Sequence, residues 1–427
     1  MARIVIAAFG SRGDIVPLTD FGCRLRNAGH DVVLTATPDL VDEIVGCGLQ
    51  AIPVDFELEH GLDEENPLRA AKEMVLPKGM RKLGENLLAA LRDVPADVLL
   101  LSPFAELAGH PLAEARNIPS IGVRLQPIST TAAFPPSLLG AWSAGPVLNR
   151  GAGRFATAMF DRMYGKTIAG FRDQLGLPTV PQRILRRQRT DAEWPILHGF
   201  SPSVLPRPTD WRDGLGVVGY WWPQRPLGWE PPGELVSFLE SGSAPVFFGL
   251  GSLMLGKSEA TRISELVAAA LRKVGMRGVI QAGGANLAVI DDSILTIGTV
   301  PHDWLFENVA AVVHSCGAGT MAAGLRAGLP AVAVPSPGGD QPFWAQRLRE
   351  LGVSSATVPR PKLTAERLAR ALDTALTEPT HRTAAEELAA RIADEDGAAS
   401  VITAVEELVR ARAVPETVHS RRVEWTR

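Results

Sequence analysis

His314-Ser-Cys-Gly-Ala-Gly-Thr320 follows the apolar run 310–313 and leads into a helix-patterned segment ending at Gly328-Leu-Pro330. A strand that stops at a glycine-rich turn and restarts as a helix leaves backbone N–H groups at the positive end of a helix dipole, where a phosphate can sit. The stretch therefore reads as a diphosphate cradle. After the next apolar run, 331–334, comes Asp340-Gln341-Pro342, a carboxylate and an amide with the chemistry to hydrogen-bond sugar hydroxyls. Cradle and polar pair together read as a nucleotide-sugar site.

Outward from this stretch, short β-rich runs alternate with longer helical patterns, the signature of parallel sheets covered on both faces. Strands are expected over 3–8, 31–37, 51–53, 98–102 and 120–123 in a first half, and over 245–250, 277–281, 294–297, 311–314 and 331–334 in a second. The fold class is α/β, with two Rossmann-like doubly wound parallel-sheet domains facing across a cleft, because 427 residues exceed what one core holds. The expected division is an N-terminal domain over 1–209, a proline-rich linker over 210–232, a C-terminal domain over 233–404, and a helix and tail over 405–427 that pack back on the N-terminal domain. Segments 55–92 and 126–170 are longer than strand-to-helix connections need, and insertions of this kind shape binding sites.

Composition removes several classes of function. The net charge of −4 and the lack of a long basic tract leave no footprint for nucleic acid. The densest basic patch, Arg183, Arg186, Arg187 and Arg189, reads as a solvated helix face or as an acidic lipid or partner contact. Cys23, Cys47 and Cys316 are odd in number and widely spaced, which suits a reducing cytoplasm better than a disulfide framework or a zinc site. The apolar N-terminus is too short for a signal peptide and reads as a buried strand, and no run reaches the ~18 apolar residues of a membrane span.

Further motifs complete the pattern: Gly10-Ser-Arg-Gly-Asp14-Ile-Val-Pro17 after the first strand, Gly219-Tyr-Trp221, Gly249-Leu-Gly-Ser252, Val300-Pro-His-Asp-Trp-Leu-Phe306, Gly317-Ala-Gly-Thr320, Ala323-Gly-Leu-Arg-Ala-Gly-Leu-Pro330 and Gly339-Asp-Gln-Pro-Phe-Trp344. In this order and spacing the chain resembles a family 1 glycosyltransferase of GT-B fold, nearest the branch holding bacterial antibiotic glycosyltransferases and sterol glucosyltransferases. The resemblance covers nearly the whole chain. It departs at one point: the family's second histidine and following glycine are replaced by Ser315 and Cys316.

The resemblance implies an inverting O-glycosyltransferase that moves a hexose from UDP-glucose or a dTDP-sugar to a hydrophobic natural product, such as a polyketide, macrolide, ansamycin, terpenoid or sterol. It implies Asp14 as general base. Donor contacts fall on Gly13, Ser252, Val300, His302, Ser315, Gly317, Ala318, Gly319, Thr320, Asp340 and Gln341. Neither a metal nor a permanently bound cofactor is implied. From spacing alone, Asp14 is equally an N-cap of the helix that follows, and His314 a core or capping histidine. Arg12 reads as structural, paired with a carboxylate. Apolar residues expected to wall an acceptor pocket are Phe56, Met74, Phe104, Phe134, Leu138, Trp142 and Met159, each of which is also a candidate for plain core packing. Alternatives on the same architecture are a nucleotide-sugar epimerase and a non-catalytic glycosyltransferase partner; as an enzyme the protein is expected to act as a monomer or homodimer.

Overall fold

A computed structural model describes residues 1–55 and 73–413. Its β-strands form two all-parallel sheets. The first has the order β3-β2-β1-β4-β5-β6-β7, built from Arg3–Ala7 (β1), Asp31–Ala36 (β2), Gln50–Pro53 (β3), Val98–Leu101 (β4), Ser120–Arg124 (β5), Ile196–His198 (β6) and Leu215–Val217 (β7). The second has the order β10-β9-β8-β11-β12-β13, from Val246–Gly249 (β8), Gly278–Gln281 (β9), Ile294–Ile297 (β10), Ala311–His314 (β11), Ala331–Ala333 (β12) and Ser354–Thr357 (β13). The central strands are buried along their length, as expected of parallel strands with helices on both faces: β4 and β8 have no residue facing solvent.

In both sheets the order reverses beside the first strand, between β1 and β4 and between β8 and β11. Ligands of doubly wound sheets bind beyond the carboxyl ends of the strands at such a switch point. The loops after β1, β8 and β11 are the Gly10–Asp14, Gly249–Ser252 and His314–Thr320 stretches singled out by sequence.

Every strand expected from sequence is present within two residues at each end. β6, β7 and β13 are additional; Ile-Leu-His, Leu-Gly-Val and Ser-Ser-Ala-Thr are interrupted by polar residues or glycine and do not read as apolar runs. β7 lies inside the stretch read as linker, so the first sheet extends past residue 209. The basic patch is only partly a solvated face. In the helix Gln182–Asp191, Arg186 pairs with Asp161 and Arg189 turns toward Glu106, while Arg183 and Arg187 stay exposed.

Two chain crossings join the halves. The crossing segment after β7 is stitched to the first half, with Trp222 N–H donating to Asp20 Oδ2 (2.8 Å) and Gln224 N–H to Thr19 Oγ1 (3.0 Å). The chain then builds the second half through Pro379–Ala393 and returns. Its last helix, Gly397–Ala413, drives Ala398, Val401 and Val405 into the core formed by Ile4, Ile6, Phe21 and Leu34 of the first half. Arg24 and Asp396 clasp this return in a bidentate pair, and Trp221 Nε1 donates to the Gly397 carbonyl at 3.2 Å.

Gly219 and Gly397 explain the Gly219-Tyr-Trp221 motif. Gly219 has φ +100°, and a Cβ on Gly397 would lie 2.4 Å from the Gly219 carbonyl oxygen, so the two crossings touch backbone to backbone. Gly397→Ala should therefore lower Tm by several degrees, an overpacking cost of about 1–3 kcal/mol. Gly165→Ala, on a helix position where a Cβ meets nothing, should leave Tm unchanged or slightly raised. Equal melting of Gly397→Ala and the parent chain, read by calorimetry, would reject the close approach.

Candidate functional site

The first half contributes a tight turn after β1. The helix Arg12–Ile15 starts at Ser11, and Asp14 is its third residue rather than its cap. Ser11 donates to Asp14 Oδ2 twice, from its backbone N–H and from its hydroxyl, both at 2.9 Å. Gly10, at φ +142°, leaves room for this: a Cβ there would sit 2.6 Å from Oδ2. The other oxygen, Oδ1, accepts from Gln126 Nε2 at 3.3 Å. Burial raises the Asp14 pKa above the ordinary value, outweighing the three donors that lower it. Arg12 pairs with Glu43 through Nε and Nη2, the structural role its position suggested.

The second half contributes the glycine-rich turn after β11. Gly317 caps the helix Ala318–Arg326 in extended conformation, and the first helical bond runs from Met321 N–H to the Gly317 carbonyl. The amide hydrogens of Ala318, Gly319 and Thr320 thus precede the intrahelical ladder. A Cβ built on Gly317 or Gly319 meets nothing within 4 Å, so this turn borders open space. Ser252, in the loop after β8, is exposed; that loop approaches Gly283 and Gly284 so closely that a Cβ on either would strike the Gly251 or Ser252 carbonyl.

The replaced pair behaves differently from a donor-facing histidine and glycine. Ser315 is buried, with its hydroxyl donating to the Leu250 carbonyl at 3.3 Å, so its proton is committed inside the fold. Cys316 is fully buried at φ +65°, a left-handed conformation that suits glycine and costs other residues ~1–2 kcal/mol. Burial and the Asp340 charge push its thiol pKa up. His314 is 1% exposed and accepts from Cys316 N–H at Nδ1 (3.0 Å); burial depresses its pKa to about 4 and keeps it neutral. It is a core histidine that shapes the turn.

His302 stacks on Phe306, ring centroids 4.7 Å apart, with Nε2 buried and unpartnered. Burial first, then the charges of Arg12 and His314, hold its pKa at about 3, so it too is neutral. Val300 is buried in the second-half core. Asp340 precedes the helix Gln341–Glu350 after Gly338 and Gly339, both at positive φ. Its Oδ2 accepts from Trp344 Nε1 (3.0 Å), and Gln341 Oε1 accepts from Ser336 N–H (2.9 Å), leaving the Gln341 amide hydrogens unused by that bond.

The halves meet at these residues. The Arg12–Ile15 helix packs against Ala318–Arg326, Ala318 itself lies on the first-half core, and Asp340 feels the Asp14 charge. The acceptor-wall residues divide. Phe104, Leu138, Trp142 and Met159 are exposed, whereas Phe134 is buried edge-on against Phe343 (5.3 Å) and Met74 packs on the first-half core. Phe56 lies outside the described residues. Sequence reasoning missed Ser11 and Gln126 as partners of Asp14. Ser11 had a signal, the Ser-x-x-Asp spacing of a capping box; Gln126, 112 positions away, had none.

Residues 270–408 match the family described as "Erythromycin biosynthesis protein CIII-like, C-terminal domain". The chain is 32% identical to the O-mycaminosyltylonolide 6-deoxyallosyltransferase of Streptomyces fradiae, over 97% of this chain and 99% of that protein. It is 30% identical to a sterol 3-beta-glucosyltransferase of Arabidopsis thaliana over 94% of its own length, and spans 65% of the plant protein. Among solved structures it is similar in fold to the glycotransferase of kitacinnamycin, with TM-score 0.68, 18% identity and coverage of 95% and 98% of the two chains. It is likewise similar to a Streptomyces sp. glycosyltransferase complexed with thymidine diphosphate, with TM-score 0.60, 20% identity and coverage of 95% and 100%. No helix among the described residues is long and apolar enough to cross a membrane.

Burial, and to a lesser degree the Asp14 charge, lift the Asp340 pKa from 3.8 to about 6. A carboxyl group whose folded pKa exceeds its unfolded one penalises the fold increasingly as pH rises from 3.8 to about 6, and fully above that. Asp340→Asn, which can still accept from Trp344, should therefore be more stable than the parent at pH 7.5 by on the order of 2 kcal/mol, with the difference gone near pH 4. Denaturant melts at the two pH values measure it; a gap that is the same at both would reject the buried-carboxylate account.

Proposed function

We propose, for a chain that belongs to the glycosyltransferase family of the sterol 3-beta-glucosyltransferases and macrolide sugar transferases, that it is an inverting O-glycosyltransferase. Its donor is a UDP- or dTDP-hexose and its acceptor a hydroxyl on a hydrophobic molecule of the sterol or macrolide kind. The observation that carries this reading is the juxtaposition of the Asp14 turn from one half with the Ala318 helix start and Asp340 from the other.

In this reading Asp14 takes the proton of the acceptor hydroxyl. The freed oxygen bonds the sugar's anomeric carbon from the side opposite the diphosphate. The bond from that carbon to the diphosphate oxygen breaks, and its electrons leave with the nucleoside diphosphate. Burial helps the first step, because a carboxylate with a raised pKa is the stronger base. Amide hydrogens of Ala318, Gly319 and Thr320, with the hydroxyls of Thr320 and Ser252, meet the growing charge on the leaving group. These donors are fixed before reaction, and both nearby histidines are neutral, so the charge is taken up by dipoles rather than by a cation. Asp340 and the Gln341 amide hold the hexose hydroxyls, while the exposed Phe104, Leu138, Trp142 and Met159 offer apolar surface to the acceptor. Retention of Asp14, Thr320 and Asp340 favours a working transferase over a non-catalytic partner.

Incubation with UDP-glucose or dTDP-glucose and a panel of sterol, macrolactone and aromatic polyketide aglycones should add one hexose to a panel member by mass spectrometry, with or without EDTA. Asp14→Asn should cut turnover about 10²–10⁴-fold while nucleoside diphosphate affinity stays within about threefold. Thr320→Val should instead weaken that affinity about tenfold, for one lost charge-assisted bond. Undiminished hexose transfer by Asp14→Asn would remove the base assignment.

A further inference from the structure

We infer that Gln126 is a positioning residue for Asp14: its side-chain amide fixes Oδ1 as the oxygen that receives the acceptor's proton. The inference rests on the reading of Asp14 as base. The two carboxylate oxygens are not equivalent. Oδ2 already takes two hydrogen bonds from Ser11 and is walled by Gly10. Among the described residues Oδ1 takes only the Gln126 N–H, at 3.3 Å, and keeps capacity for a second donor.

The backbone around Gln126 is anchored on both sides. Leu125 is buried in the first-half core, Arg124 is tied to Glu106 by three contacts of 2.7–2.9 Å, and the Gln126 carbonyl accepts from Ile128 N–H at 3.0 Å. An anchored amide can therefore set the plane of the carboxylate across a gap of 112 residues. Residue type matters as much as reach. A lysine or arginine here would pair with Asp14 and lower its pKa by about 1–3 units, disabling it as a base, and a carboxylate would oppose its ionisation. A neutral amide avoids both, and once the proton has moved to Oδ1 the same group, turned over, presents Oε1 to the new O–H.

Other titratable groups around Asp14 leave this role open. Asp340 lies across the gap, Arg12 is engaged with Glu43, and His302 and His314 are neutral.

The test uses the full-length protein labelled with [4-¹³C]aspartate, the Asp14 carboxyl resonance being the one that Asp14→Asn removes. Gln126→Leu should move its titration midpoint upward by about half a pH unit, and Gln126→Glu further in the same direction, because a lost donor and an added like charge both disfavour the carboxylate. Gln126→Asn, with the amide one carbon too short, should follow Gln126→Leu; it also serves if the leucine variant folds poorly, as judged by Tm and UDP binding. With the acceptor that the wild-type protein turns over, kcat should fall about tenfold while acceptor KM stays within about twofold, the signature of a lost transition-state interaction. A midpoint unchanged in properly folded Gln126→Leu and Gln126→Asn, or an undiminished kcat, overturns the role of Gln126. Wild-type turnover by Asp14→Asn would instead overturn the base reading beneath it, so the two failures are separable.

Discussion

One face of the helix Gly397–Ala413 is buried in the half of the molecule that the chain left nearly two hundred residues earlier, and the site depends on that return. Ala398, Val401 and Val405 are wholly enclosed among first-half residues, and burying such side chains is worth about 1.5–3 kcal/mol for each valine. Trp221, from the outgoing crossing, stacks edge-on to Phe21 (5.1 Å) and hydrogen-bonds the incoming one at Gly397. Two crossings fastened to each other and to one core bring the two switch points together; a single proline-rich linker would leave their spacing to chance.

Once apposed, the loops create an unusual electrostatic setting. Two carboxylates, Asp14 and Asp340, sit where loss of water opposes their charge, and the Asp14 charge adds to the cost of ionising Asp340. Among the described residues, Arg12 is occupied by Glu43, and both histidines are held neutral. On the proposed reading, each hydroxyl given to one of these carboxylates replaces water that was lost. On that reading, the amide hydrogens at the start of the Ala318 helix serve an anion and the carboxylates a polyol.

Cys316 illustrates how the fold overrides a local preference. The backbone turns left-handed at Cys316, the middle of the three residues that redirect β11 into the Ala318 helix. Glycine meets that demand freely. Here cysteine meets it with its side chain fully enclosed, and Ser315 spends its hydroxyl on Leu250. Ser315 and Cys316 thus serve packing and turn geometry.

Much of this was legible in the order of residues. Buried parallel strands write themselves as apolar runs, glycine-rich turns mark their carboxyl ends, and prolines mark the crossings, so both sheets and the loops at their switch points could be read directly. β6, β7 and β13 could not, because polar residues or glycine interrupt their apolar character, nor could the partition of apolar residues such as Phe134 and Trp142 between core and surface, which depends on neighbours distant in sequence. The sequence determined the chemistry available: carboxylates, amides and free helix N–H groups beyond the strand ends. Tertiary structure alone decided that Gln126 reaches Asp14 and that burial between the halves strips the Asp14 carboxylate of water. Those properties arise from distances between segments over a hundred residues apart, which local pattern does not encode and only packing fixes.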